Sequence, residues 1–494
     1  MKITLKKSLA AFLALITLFS CFGFTAFADN GEEYAVVRQN CTVYGDPKTQ
    51  KGFTWYTAAD CDSVLQLAKA SDFNRNGFTN ALEVQGTSKK FQGNYCHKVA
   101  VTGLEPGTTY CYRVGSLKNN IWSNVGKFVT DNGDSKFSFI AIADVQASSF
   151  ENFYKASRVM KEAVNYNKNA EFIVNLGDFV NDCTNDEWGW YGETFKEFNT
   201  NYTLVPVAGN HEGNPTNKFN PGWFANQFNL DAAEGSLQVN GVYYSYDYGD
   251  AHFCVLNTND MYPMTEAQRN WIYNDLNGSN AKWKILLMHR AAYSAGKNIN
   301  KPDTLAMRKT IIEIVDNTDV DLVLSGHDHM YMRTYQVKGD AVCEDTRYVT
   351  EMYNGKEVTF AMDPDGAVYA LPGTAGTKRY AVNTNAIDPI LQCAEVAETL
   401  RDRGGAFANI TVDGDRLIYE AFIVKDDTYE LEKIDEYAIK KTTAGSASDE
   451  PEKPTDFFGT IDQTVINFVT EIIGVIVTYI TKLLPQIIIG SFKK

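Results

Sequence analysis

The chain of 494 residues is short of several things, and each shortage excludes a class of protein. It has no Cys-x-x-Cys pair, which argues against a structural zinc cluster built on thiolates. Basic residues are outnumbered, with 46 Lys and Arg against 61 Asp and Glu and a net charge of −15. A polyanion is bound through clustered Lys and Arg, so bulk nucleic acid is excluded as a partner, although one small phosphorylated substrate is not. Histidine is scarce at six residues, so where these six fall carries information. What is present is ordinary for a globular protein, with 44% hydrophobic and 22% charged residues and length enough for two or three domains.

Residues 1–28 read MKITLKKSLAAFLALITLFSCFGFTAFA, with lysines first, an apolar stretch next and Ala26-Phe27-Ala28 before Asp29. This is the pattern of a secretory signal peptide cleaved after Ala28, and it implies an extracellular or cell-surface protein. A lipoprotein reading on Cys21 is weaker, because Phe19 fits it poorly. Export makes disulfides permissible. Eight cysteines remain (Cys41, Cys61, Cys96, Cys111, Cys183, Cys254, Cys343 and Cys393), with pairing undetermined by sequence. Cys254, inside HFCVLNT, reads as a buried free thiol.

From 30 to 131 short β-rich runs such as FTWYTA, YCHKVAVTGL, TTYCYRVGS and VGKFVT alternate with turn residues, the spacing of a small all-β sandwich. His97 lies here, away from any motif, and reads as structural. From 136 to 425 apolar strands alternate with amphipathic helices, the mark of an α/β domain. Strands are expected at 137–143, 171–176, 204–208, 252–257, 283–288 and 321–325, and the clearest helices at 153–167, 265–276 and 303–317. An extension and polar linker (426–456) contain KKTTAGSASDEPEKPTD, and an apolar, amphipathic helical tail follows at 457–494. Only ten residues between Glu471 and Lys482 are free of charge, short of the roughly twenty of a clean transmembrane span. An interfacial helix, a tilted span and self-association all suit the tail; membrane attachment is the leading expectation, and oligomeric state is left open.

Five of the six expected strands end in a polar motif: Asp144 in AIADVQ, Asp178 in NLGDFVND, Asn210 and His211 in AGNHE, His289 in LLMHR, and His327 with His329 in SGHDHMY. Taken singly, each has a bland explanation as a capping carboxylate, a core histidine or a surface turn. Together they hold four of the six histidines, and ligands in α/β sheets gather where strands end. Carboxylates, an amide oxygen and imidazoles are donors for hard and borderline cations. Six such ligands are too many for one metal with an open position and suit two metals with one carboxylate bridging.

The order D…GD…GNHE…H…GHxH resembles the calcineurin-like metallophosphoesterases. With GLEPGTTYCYRV and WSNVGKFVT ahead of it, which resemble a fibronectin type III domain, residues 34–425 look like the purple acid phosphatase branch. The resemblance implies an α/β fold of two mixed sheets sandwiched between helices (αββα), preceded by the all-β sandwich. It implies Asp178 bridging two metal ions, Asp144 and His329 completing the first site, Asn210, His289 and His327 completing the second, and His211 as the catalytic residue that serves the leaving group. The reaction it implies is hydrolysis of a phosphate ester by metal hydroxide, with no covalent phospho-enzyme.

Two positions depart from that branch. Its second motif runs GDxxY, with a tyrosine that binds ferric iron; here the position is Asn181. Its first motif is DxG, or DxH in other branches; here it is Asp144-Val145-Gln146. The expectation is therefore a protein that is not purple, with Fe, Mn, Zn or Ca admissible and Gln146 or Asn181 supplying a neutral oxygen. Glu212 could bias His211 or be solvated. Arg290, and further on Tyr331, Arg333 and Arg379, are candidates to face a substrate phosphate. The aromatic run NDCTNDEWGWYGETF either walls the pocket or forms a helix on the sheet. The leading function is a phosphomonoesterase; alternatives are an extracellular phosphodiesterase or nucleotidase, and a surface-attached adhesion protein with a vestigial phosphoesterase domain.

Overall fold

The computed structural model describes residues 32–213, 222–236, 241–260, 264–386 and 388–442. The leader at 1–28 and the tail at 457–494 lie outside these residues, and among the described residues no helix is long and apolar enough to cross a membrane.

All six expected strands are present, as Lys136–Ile142, Phe172–Asn175, Thr203–Pro206, Ala251–Val255, Trp283–Leu287 and Leu322–Leu324. Five of the six stop one or two residues before the apolar run does, because the chain turns out of the pleat there. Asp144, Asp178 and His327 take up left-handed backbone, with φ of 53°, 54° and 75°. The expected helices run over Phe150–Tyr166, Glu266–Gly278 and Pro302–Asp316. Ser149 and Thr265 cap the first two by accepting from the backbone N–H groups of Asn152 and Gln268, and Pro302 opens the third.

Strands 136–142, 172–175 and 203–206 are parallel neighbours near the middle of a mixed sheet of 12 strands. Strands 251–255, 283–287 and 322–324 are parallel in a second mixed sheet of 7. The sequence alternation decides what each face covers. In the second sheet Phe253, Val255, Ile285, Leu287, Leu322 and Leu324 join the core shared with the first sheet. Cys254, Leu286 and Val323 face the other way, into a core with Ile272, Leu276, Met307 and Ile311 of the two later helices. Aromatic side chains fill the space between sheets: Phe139 stacks on Phe172 at 4.9 Å and meets Phe253 edge-on at 5.5 Å. The result is the expected αββα sandwich.

The N-terminal sandwich closes on a core that includes Phe53, Trp55, Leu65, Val99, Tyr112 and Phe128. It is not a separate bead. Strand Val37–Thr42 lies parallel beside Thr203–Pro206, with Thr42 opposite Leu204, so four sandwich strands extend the large catalytic sheet. Tyr56 donates to the Asn226 carbonyl at 2.8 Å, and Thr42 to that of Asn229 at 2.6 Å, across the same seam. At the other end the large sheet runs past residue 425 into strand Leu431–Lys440. The eight cysteines among the described residues are free, with Cys254 fully buried.

Both histidines outside the motifs are structural. His97 is buried against Trp55, with its two ring nitrogens on the hydroxyls of Ser63 and Thr57 at 2.8 Å each. His252 bridges two carboxylates, Asp247 at 2.7 Å and Asp275 at 2.9 Å. Burial works against its charge, but the two partners win and hold its pKa up at about 9. Because the folded value lies above the unfolded value of about 6.5, this stabilisation is complete below about pH 6.5 and is lost as pH rises through about 9. The stability advantage of the native protein over His252→Gln, measured as melting temperature, is expected to shrink by the equivalent of roughly 2 kcal/mol across that window. A gap that stays constant with pH would sink the assignment.

Candidate metal centre

The tips of the parallel strands of both sheets bring the five motifs to one place. Asp178 ends the turn after Phe172–Asn175, and its Oδ2 lies 3.2 Å from Nε2 of His289. His289 Nε2 is also 3.2 Å from Oδ1 of Asn210, while its Nδ1 donates to the Leu176 carbonyl at 2.8 Å. Asp144 Oδ1 lies 3.4 Å from Nε2 of His329, whose Nδ1 is held by the Lys378 carbonyl. The donor atoms fall into two groups, Asp178, His289 and His327 in one and Asp144, Asp178 and His329 in the other, each within 4.8 Å. Asp178 is common to both.

Burial separates the roles. Asp144, Asp178, His289 and His329 are at most 2% exposed, and His327 is 9% exposed. His211 is the reachable imidazole, with 24% of its side chain exposed and Nε2 3.9 Å from Oδ2 of Asp178. Its Nδ1 meets the Asn181 carbonyl and its Nε2 the Gln146 side-chain amide. The buried carboxyls titrate in opposite directions. Burial pushes Asp144 well up, whereas at Asp178 the charge of His289 overcomes burial and holds the carboxyl far down. His289 is raised in return to about 9, against burial, by Asp178. Burial lowers His327 well below its ordinary value and His329 to about 3, which leaves both as neutral imidazoles.

The residues fit a pair of cations. Two carboxylates, an amide oxygen and three imidazoles form a mixed donor set for borderline metals. Nε2 of His327 is buried without a hydrogen-bond partner, and a ligand atom in that condition is accounted for by a cation.

Each remaining candidate has a definite place. Glu212 neither biases His211 nor sits in solvent. It is 5% exposed, and its two oxygens accept four backbone N–H bonds, from Asp178 and Gly209 at 3.0 Å each, Phe179 at 2.9 Å and Val180 at 3.3 Å. Burial, with Asp178 beside it, raises its pKa to about 8 against the pull of those donors. Asn181 contributes its carbonyl, while its side-chain amide donates to Asp182 at 2.8 Å. Arg290 is partly exposed beside His289 and loosely paired with Asp303 at 3.5 Å. Tyr331 and Arg333 are buried on Asp435, and Arg379 pairs with Asp426, so these three are structural. The aromatic run is a helix, Asn185–Thr194, that packs Trp188 and Tyr191 against Phe179.

Sequence reasoning missed the segment after strand Val368–Leu371. Thr374 donates to the Asp144 carbonyl at 2.7 Å, Lys378 lends its carbonyl to His329, and Tyr380 stacks on the His329 ring at 4.5 Å. Its one sequence signal is the glycine-rich end of an apolar strand, PGTAGT, the same kind of signal as the five motifs.

Residues 137–331 match the family of calcineurin-like phosphoesterases, and residues 37–130 match the purple acid phosphatase N-terminal domain. The chain is 25% identical over 358 residues to acid phosphatase type 7 of Danio rerio, covering 66% of this chain and 75% of that one. It is 24% identical over 328 residues to purple acid phosphatase 15 of Arabidopsis thaliana, covering 59% and 56%. Among solved structures, a purple acid phosphatase from yellow lupin (Lupinus luteus) seeds shares the fold with a TM-score of 0.63 at 16% identity, over 83% of this chain and 75% of that one.

Glu212→Gln puts an NH2 group where two backbone N–H groups now find an acceptor. Leaving buried donors unpaired is expected to cost on the order of 3 kcal/mol. Urea unfolding in excess EDTA, which removes any contribution from bound metal, reads this directly. An unchanged midpoint would show that the carboxylate does not hold the turns.

Proposed function

We propose that this chain, in which a calcineurin-like phosphoesterase region follows a purple acid phosphatase N-terminal domain, is a metal-dependent phosphoric ester hydrolase that acts on phosphate monoesters outside the cell. The observation that carries the proposal is the sharing of Asp178 between two groups of buried donors. Asp144, Asp178 and His329 would hold one cation, and Asp178, Asn210, His289 and His327 the other. Two bound cations supply positive charge for the phosphate oxygens and acidify a water.

The protein's own groups do the rest. His211 stands at the exposed edge of the centre, oriented by the Asn181 carbonyl on Nδ1. A proton on its Nε2 is therefore the one that can be passed to the leaving oxygen, which takes the place now filled by the Gln146 amide. Arg290, beside His289 and with only a long, partly solvated pairing to Asp303, would steady a phosphate oxygen. The leader at 1–28 supports export, and the tail at 457–494 supports attachment to a membrane surface.

His211→Ala is expected to lower kcat on p-nitrophenyl phosphate by about 10² to 10⁴ with metal content unchanged, because it removes proton delivery and not a ligand. Asp178→Asn is expected to lose both metals. If His211→Ala loses metal instead, His211 is a ligand and its assigned role is wrong. Running bis-p-nitrophenyl phosphate in parallel tests the substrate class: turnover that favours the diester would replace the monoesterase proposal with a phosphodiesterase, and silence on both substrates in metal-loaded protein would overturn hydrolysis itself.

A further inference from the structure

Acidic residues outnumber basic ones in this chain by 61 to 46, so a surface lysine has carboxylates to choose from. Two lysines at the edge of the metal centre take none. Lys297 and Lys378 are exposed, and among the described residues neither makes an ion pair, whereas Arg290 and Arg379 nearby both do. What Lys297 meets instead is an aromatic face. Its Nζ stands 3.9 Å from the centre of the Tyr380 ring, and that ring stacks on the His329 imidazole at 4.5 Å with 17° between the planes. The ammonium and a candidate metal ligand thus share one tyrosine. Burial raises the Tyr380 hydroxyl and the charge of Lys378 pulls the other way, so the second ammonium is close to the same ring.

The backbone fixes both residues at the centre. Tyr380 donates its N–H to the His329 carbonyl at 2.8 Å, and Asn383 donates to that of Ala295 at 2.6 Å, which ties the segment after Val368–Leu371 to the loop that carries Lys297. The loop in turn lies on the side chain between two candidate ligands. Asp328, 2% exposed, accepts with one oxygen from the backbone N–H and the side-chain amide of Asn298, at 3.1 and 2.8 Å. Gly296 lies against the same carboxylate, where a Cβ would stand 2.3 Å from Cγ, so only a residue without a side chain lets the loop come this close. Lys297 is therefore held beside the centre by the motif that presents His327 and His329. Its ammonium carries three donors and no acceptor, and a ring face takes up little of that capacity. An anion is the partner it lacks.

We propose that Lys297, with Lys378 beside it, seats a second phosphate of the substrate, so that the preferred substrates are phosphate monoesters carrying another phosphate a few carbon atoms from the one removed. Arg290 follows His289 in the other group of donors and stays with the phosphate that is cleaved. Positive charge at this rim also draws a polyanion towards a protein whose net charge of −15 repels it. The inference rests on the phosphoesterase reading above.

The test uses the full, metal-loaded chain and two probes with uncleavable carbon–phosphorus bonds, tetramethylenediphosphonate and butylphosphonate, which differ by one anionic end. Calorimetric titration is expected to show the diphosphonate bound about fivefold or more tightly than butylphosphonate, as two exposed charge contacts allow. Lys297→Met is expected to remove most of that advantage, Lys378→Met a smaller part, and Lys297→Arg none. Affinity for butylphosphonate is expected to stay within about twofold of wild type in all three, since exposed charges away from the bound end contribute little. In turnover, the two Met variants are expected to raise KM for fructose bisphosphate and not for fructose monophosphate, with kcat unchanged, a split that a loosened loop would not give. If wild type binds both phosphonates equally, if Lys297→Met keeps the full advantage, or if it weakens both phosphonates alike, the inference falls while the phosphoesterase reading stands. If the metal-loaded protein neither binds butylphosphonate nor cleaves p-nitrophenyl phosphate, that reading falls and takes the inference with it.

Discussion

One buried carboxylate holds together the turns on which everything else at the centre is mounted. Glu212 accepts from four backbone N–H groups that belong to two different strand ends, three after Phe172–Asn175 and one after Thr203–Pro206. These turns need such a clamp, because Asp178 sits in left-handed backbone, a conformation that costs a residue with a Cβ about 1–2 kcal/mol. The arrangement repeats around the site. Asp178 in turn accepts the His211 N–H at 2.9 Å, and both oxygens of Asp144 accept the His327 N–H, at 2.9 and 3.1 Å. Three of the five motifs are therefore held in place by a carboxylate of another, and removing one acidic group loosens a turn that presents a different candidate ligand.

The same acids make the centre electrostatically unequal to itself. Three carboxyl groups, Asp144, Asp178 and Glu212, are buried within reach of each other, and burial raises two of them while the histidines around Asp178 hold the third down. Neighbouring carboxyls driven apart in this way cannot all be charged at little cost unless positive charge is added. Two cations would supply it, so metal uptake here would also contribute to the stability of the strand tips.

Much of this was legible in the sequence, for physical reasons that differ by element. Strands such as 136–142 and 283–287 are apolar runs that stop at a polar residue, and a buried strand tip leaves that mark whatever surrounds it. The candidate ligands were readable because metal binding needs particular side chains. The seam between sandwich and catalytic sheet was not, since Thr42 opposite Leu204 is a matter of edge pairing and register rather than of residue type. Nor were the carbonyls of Lys378 and Asn181 that orient His329 and His211, because every residue has a carbonyl. Glu212 was visible as a residue but not as a clamp: only its burial separates a solvated acid from one that organises two turns.

The two places where the chain leaves the pattern of the phosphoesterases it resembles looked alike in the sequence and are not alike in the structure. At position 181 the protein uses the backbone: the carbonyl orients His211, and the side-chain amide donates to Asp182. At position 146 it uses the side chain. A glycine there would relieve the left-handed strain but could not reach His211. The left-handed backbone at Gln146 therefore carries an amide that meets the exposed imidazole, whereas position 181 offers that imidazole only its carbonyl.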